Sequence, residues 1–96
     1  MSQTKNVDVA WDKFASVRHD ENALDIAEAY GLAAADIYLD DIEGLEETLT
    51  RHPAIGRLYD PERHAQRRVH TSARRWSLVY DYAPEKSLVV ILDVMR

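Results

Sequence analysis

The densest chemistry in the chain lies in one run, Arg63-His64-Ala65-Gln66-Arg67-Arg68-Val69-His70-Thr71-Ser72-Ala73-Arg74-Arg75, which holds five Arg, two His and no acidic residue. A guanidinium presents a planar fork of donors that fits phosphate and carboxylate groups. Trp76, Tyr80 and Tyr82 follow closely, and aromatic rings beside such cations stack on bases. The run therefore suits a nucleic acid, a nucleic-acid machine or an acidic protein partner. The bland alternative is that it balances acidic residues elsewhere in the chain. A net charge of −5 argues against strong non-specific DNA binding, which needs many phosphate contacts.

Among the four histidines, His19, His52, His64 and His70, His64 and His70 stand beside Arg, which favours the neutral imidazole of a general acid or base. The ordinary expectation for each His is a surface position. Their spacing matches no metal-binding pattern. The absence of Cys rules out disulfides and thiolate-held zinc or iron–sulfur sites. Three glycines, Gly31, Gly44 and Gly56, are too few and too scattered for a phosphate-cradling loop. Asp81 and Asp93 make a weak carboxylate pair, and solvated positions on an open sheet face suit them better.

Charge is divided along the chain. Residues 1–50 hold three Lys/Arg and twelve Asp/Glu, and residues 51–96 hold nine and five. Such asymmetry fits two different partners, or simply solvated helix faces. No apolar run approaches the roughly 18 residues of a membrane span. The N-terminal MSQTKNVDVAW shows no basic segment followed by an apolar one, so no secretory signal is expected.

These residues must be positioned by a small set of elements. Residues 5–11 alternate, with Val7, Val9 and Trp11 on one side, and predict a first strand. Asp12 stands where a helix cap belongs. A helix is expected from there to about Tyr30, with Phe14, Val17, Leu24, Ile26, Ala27 and Tyr30 as its apolar members, a break or an exposed stretch over residues 18–22, and Gly31 as its stop. A second helix carries Ala34 or Ala35, Tyr38, Ile42, Leu45 and Leu49 at three- and four-residue steps. Gly44 inside it suggests a close approach to the first helix, and His52-Pro53 ends it. A loop over residues 52–57 and an irregular stretch over 58–66 lead to a strand at 67–71 and a turn at 72–74. Trp76, Leu78, Tyr80 and Tyr82 then alternate with Ser77, Val79 and Asp81, the mark of a strand with one buried face. Pro84 sets the following turn. Ser87 to Met95, β-branched and apolar, reads as a central strand. The order β-α-α-β-β-β predicts an α+β fold in which a helical hairpin packs on one face of a small, mostly antiparallel sheet.

The ordered set of Trp11-Asp12, Ala33-Ala34-Ala35-Asp36-Ile37-Tyr38-Leu39-Asp40-Asp41-Ile42, Pro53-Ala54-Ile55-Gly56-Arg57, Trp76-Ser77-Leu78-Val79-Tyr80 and Val89-Val90-Ile91-Leu92-Asp93-Val94 resembles the ParE/RelE toxins of bacterial type II toxin–antitoxin modules over nearly the whole chain. The Pro-x-Ile-Gly-Arg loop is most similar to the ParE branch. The resemblance implies one domain over residues 1–96, a curved sheet, no cofactor or metal, a cytoplasmic location, and a hetero-oligomer with a ParD-like antitoxin that wraps and silences the toxin. ParE-type members poison DNA gyrase. RelE-type members cut mRNA on the ribosome, for which His70, Arg74 and Arg75 would be the catalytic candidates. A third alternative is a non-toxic binding module of the same fold. Target or antitoxin contacts are expected at Arg57, Arg67, Arg68, Arg74, Arg75, Asp93 and Arg96, with apolar antitoxin contacts at Tyr30, Tyr38 and Trp76. Family members often carry Arg where Asp93 stands, and a basic tail where this sequence reaches Arg96; no RelE-like Tyr follows the last strand.

Overall fold

The computed structural model describes residues 6–96. The expected strand start at Lys5, and the head of the N-terminal segment in which no secretory signal is expected, lie outside the described residues. The elements are β1 (Asp8–Trp11), α1 (Lys13–Tyr30), α2 (Leu32–Arg51), β2 (Arg57–Leu58), β3 (Arg67–Thr71), β4 (Ser77–Ala83) and β5 (Leu88–Met95), with a single 3-10 turn at Pro84–Lys86. They form an α+β fold: two helices on a five-stranded mixed sheet of order β1-β5-β4-β3-β2. β1 runs parallel to β5, and the other three pairings are antiparallel. The two-residue β2 falls within the stretch expected to be loop. It is too short to carry an alternation and exists only because Arg57 and Leu58 pair with Val69 and Arg68.

Local chemistry explains the helix ends. The Asp12 side chain accepts the Phe14 amide at 3.0 Å and caps α1. Gly31 ends α1 at φ 96°, a conformation L side chains avoid. With this single residue between them, α1 and α2 must fold back on each other.

The core lies between the hairpin and one sheet face. α2 supplies Ala35, Tyr38, Ile42, Leu45 and Leu49, all buried, on the stripe its periodicity predicts. β4 and β5 supply Leu78, Tyr80, Val89, Ile91 and Val94. Each fully buried aliphatic or aromatic side chain contributes about 1.5–3 kcal/mol. Ile91 and Val94 are an odd number of residues apart, so plain alternation would put them on opposite faces. A register shift in the β4–β5 ladder pairs Val79 with Asp93 but Tyr80 with Ile91, leaving Leu92 as the extra residue. This bulge turns both Ile91 and Val94 toward the helices.

α1 departs from expectation in three ways. It is continuous through residues 18–22. Phe14, Val17, Leu24 and Tyr30 are exposed. The inward stripe is Ala15, His19, Asn22, Ala23 and Ile26, of which only Ala15 is fully buried. Two of those five residues are polar, so the apolar pattern points away from the true inner face. Gly44 makes no close approach to α1, since a Cβ built there would meet nothing within 4 Å.

Candidate functional site

The sheet's two faces separate the arginines that adjoin in sequence. Arg67 pairs opposite Asp81, and Arg68 opposite Tyr80, so consecutive side chains leave opposite sides of the sheet. Arg67 donates from Nε and Nη2 to both Asp81 oxygens at 2.9 and 3.1 Å. This two-point bond raises the Arg67 pKa further above its ordinary value. Arg68 donates from Nη1 to the backbone oxygens of Ala54 and Gly56, at 3.2 and 2.6 Å. Neither guanidinium is idle: one holds a neighbouring strand and the other a loop.

That loop is clasped from a second side. Tyr80, fully buried, donates its hydroxyl to the Pro53 carbonyl at 2.7 Å and accepts the Gly56 amide at 3.0 Å. Burial pushes the Tyr80 pKa up, against the Gly56 hydrogen bond and the Arg68 charge, which pull it down. Arg57 follows directly, exposed on β2.

The other expected residues gather at two places. A groove of about 420 Å³ lies where the hairpin tip meets the sheet. α1 contributes Ile26 and Tyr30, α2 contributes Ala34, Ile37 and Tyr38, and the sheet side contributes Arg74, Trp76 and Arg96. Tyr30 is 80% exposed at its rim, with Leu32 and Ile37 also exposed nearby in sequence. Tyr38 was expected as an apolar contact surface, but it is only 2% exposed. Its ring packs edge-on against Trp76, with centroids 4.7 Å apart, so it forms floor rather than rim. The Arg96 guanidinium sits over the Trp76 ring, 4.9 Å from its centroid. The groove thus combines an apolar bed with two cationic side chains. Nothing in the spacing of Ile26, Ala34 and Ile37 marked them as lining residues; the exposed Tyr30-Gly31-Leu32 tip was the one available signal.

His70 opens instead on a second cavity of about 320 Å³, with Asp40, Asp41, Gly44, Thr48 and Ser72 among its lining. Arg74 and Arg75 do not line it, so the structure does not gather the expected His70, Arg74 and Arg75 set around one cavity. Burial lowers the His70 pKa. Ser72 donates to Asp41 at 2.6 Å and accepts the Trp76 amide at 3.2 Å, tying the β3–β4 turn to α2. Arg75 is exposed in that turn at φ 72°. Asp93 accepts its neighbour Val94's amide and faces Arg18 at 3.8 Å. Arg18 had no assigned role from sequence.

His19, expected at the surface, is half-buried between α1 and α2, with Nδ1 2.8 Å from the Tyr38 hydroxyl. Desolvation lowers its pKa, opposed by the carboxylates of Asp20 and Glu46. Among the described residues no group of three or more His, Cys, Asp or Glu is placed to hold a metal ion. No helix of the described residues is long and apolar enough to cross a membrane.

The family model described as ParE toxin of type II toxin–antitoxin system, parDE, matches residues 15–96. A solved chain from the chromosomal ParDE TA system of P. aeruginosa aligns with a TM-score of 0.74 at 19% identity, over 99% of this chain and 98% of that one. At that identity the likeness concerns the fold. No curated protein matches.

Proposed function

The chain belongs to the family of ParE toxins of type II toxin–antitoxin systems, and from that premise we propose that it is silenced in the cytoplasm by a ParD-like antitoxin and, when free, inhibits DNA gyrase by binding it. The observation that carries the antitoxin half of this reading is the groove at the hairpin tip. Its apolar floor and its two guanidinium groups, Arg74 and Arg96, suit an amphipathic segment bearing acidic residues beside an apolar anchor. The solved relative belongs to a ParDE system, which supports a partner of that class.

The gyrase half rests on the family. Arg57, Arg74 and Arg75, all exposed, are the side chains we assign to target contact. Arg67 and Arg68 act behind them, through Asp81 and through the Ala54–Gly56 backbone.

Inducible expression of the chain alone, then together with its adjacent small open reading frame, tests the reading. Growth arrest relieved by the neighbour supports it, and purified chain should inhibit supercoiling by gyrase. Unchanged supercoiling refutes the gyrase assignment. Cleaved mRNA abolished by His70→Ala would replace it with a ribosome-dependent endoribonuclease. Harmless expression would leave a binding module.

A further inference from the structure

α1 turns much of its apolar surface away from its own core. Ala15 and Ile26 face inward, with His19 and Asn22 between them on the same side. Phe14, Val17 and Leu24 are 55%, 49% and 60% exposed. One exposed Leu would mean little, but these three share a register. Helical geometry puts Val17 and Leu24 on the side of α1 opposite Ala15 and Ile26, with Phe14 one turn before them. Taken at alternating three- and four-residue steps, the outward positions are Phe14, Val17, Glu21, Leu24 and Glu28. That is the spacing by which one helix lies along another.

Charge decides what fits this seam. Glu21 and Glu28 fall within it, Asp20 and Asp25 flank it, and all four are exposed. None forms an ion pair with another described residue. The nearby cation, Arg18, is engaged already. It faces Asp93 at 3.8 Å, and its guanidinium lies over the Phe14 ring, 5.2 Å from the centroid. Lys13 stands at the opposite end of α1 from Glu28. A carboxylate covered by a docked helix costs binding unless a cation meets it, so the occupant must bring its own Lys or Arg.

A second copy of this chain does not meet that need. Residues 13–30 hold two Lys/Arg against four Asp/Glu. Two α1 helices packed seam to seam set carboxylates against carboxylates: Glu21 against Glu21 if parallel, Glu21 beside Asp20 if antiparallel with Val17 on Leu24. The chain's own Arg run lies on β3 and the turn after it, not on a helix.

We propose that the outward face of α1 docks a helix of a partner protein, one whose apolar stripe is bordered by Lys or Arg. The groove at the hairpin tip has the opposite chemistry, because Arg74 and Arg96 call for acidic residues there. The two surfaces therefore take different segments, and this one stands whether or not the groove binds an antitoxin.

Two synthetic helical peptides test it by calorimetry against the full chain at physiological salt. Both carry Leu at three- and four-residue steps; one stripe is bordered by Lys, the other by Glu. The Lys-bordered peptide should bind at least about tenfold more tightly. Leu24→Asp should weaken that binding about tenfold; attraction by charge alone would strengthen it, since the variant is more acidic. Glu21→Lys with Glu28→Lys should reverse the preference between peptides. Glu62→Lys with Glu85→Lys, the same change of net charge outside α1, should not. Circular dichroism checks that each variant folds, and Val17→Asp replaces Leu24→Asp if the latter does not. Failure of the Lys-bordered peptide to bind overturns the proposal, as does binding that survives Leu24→Asp or a preference that the Glu62 and Glu85 changes reverse equally. A wild-type dimer in sedimentation that Leu24→Asp dissociates would give the face to a second copy and overturn it too.

Discussion

The Tyr80 hydroxyl and the Gly56 amide lie 3.0 Å apart inside the protein, and the space between them admits no other atom. A Cβ on Gly56 would stand 2.7 Å from that hydroxyl and 2.8 Å from the Val69 carbonyl oxygen. The loop before β2 is thus held by a contact in which glycine is required for room rather than for backbone freedom.

Two substitutions separate the room from the bond. Tyr80→Phe keeps the ring but leaves the Gly56 amide and the Pro53 carbonyl short of a partner, at a cost of about 1–3 kcal/mol. Gly56→Ala forces backbone apart and should cost about as much or more. Urea unfolding at constant m-value measures both, and a neutral Gly56→Ala would contradict the packing.

Gly44→Ala should act in the opposite direction. The position is helical, no atom stands within 4 Å of the added methyl, and alanine favours helix over glycine by about 1 kcal/mol. A rise in the unfolding midpoint is the expected result.

The arginines should divide by role. Arg68→Ala removes donors from two loop carbonyls and should lower stability by about 1 kcal/mol or more. Arg74→Ala is exposed at the groove and should leave stability within about 0.5 kcal/mol. Affinity for an antitoxin peptide, measured by calorimetry, should drop about tenfold in Arg74→Glu. The reverse pattern, with Arg74 stabilising and Arg68 neutral, would refute this division.

Stability should also depend on two histidines. Burial lowers the pKa of both His19 and His70 relative to the unfolded chain, so the unfolded state takes up protons first as pH falls. Their contribution is intact above the ordinary His value of about 6.5 and is lost as pH falls from there through the folded-state values. Chemical denaturation between pH 7.5 and pH 5.5 should show this decline. Replacing both by Gln should flatten it over that interval.

The parts of the fold that were legible in the sequence are those where burial and chemistry coincide. The α2 stripe from Ala35 to Leu49 and the inward placement of Leu78 and Tyr80 were readable because those apolar residues are buried, whereas Val79, expected on the open face with Ser77 and Asp81, is buried as well. α1 was misread because its inner stripe includes His19 and Asn22, whose burial is made tolerable by Tyr38, a residue far away in sequence. Phe14, Val17 and Leu24 face outward instead. At the site, the Arg run was visible, but its partition was not: which guanidinium is spent depends on Asp81 and on the Ala54–Gly56 carbonyls, and those contacts are tertiary. Gly56 likewise gives no local sign that Tyr80 stands against it.

The parallel pairing of Asp8 with Leu88 bears on how the protein is made. β5 lies between β1 and β4 in the sheet, so β1 lacks its sheet partner until β5 has been synthesised. Local contacts can build the helical hairpin early, whereas joining the sheet must wait for a closure across nearly the whole chain, the slow kind of step. On a nascent chain both helices are therefore synthesised before the sheet can close, and a partner recognising the hairpin tip alone would have the first opportunity to capture it.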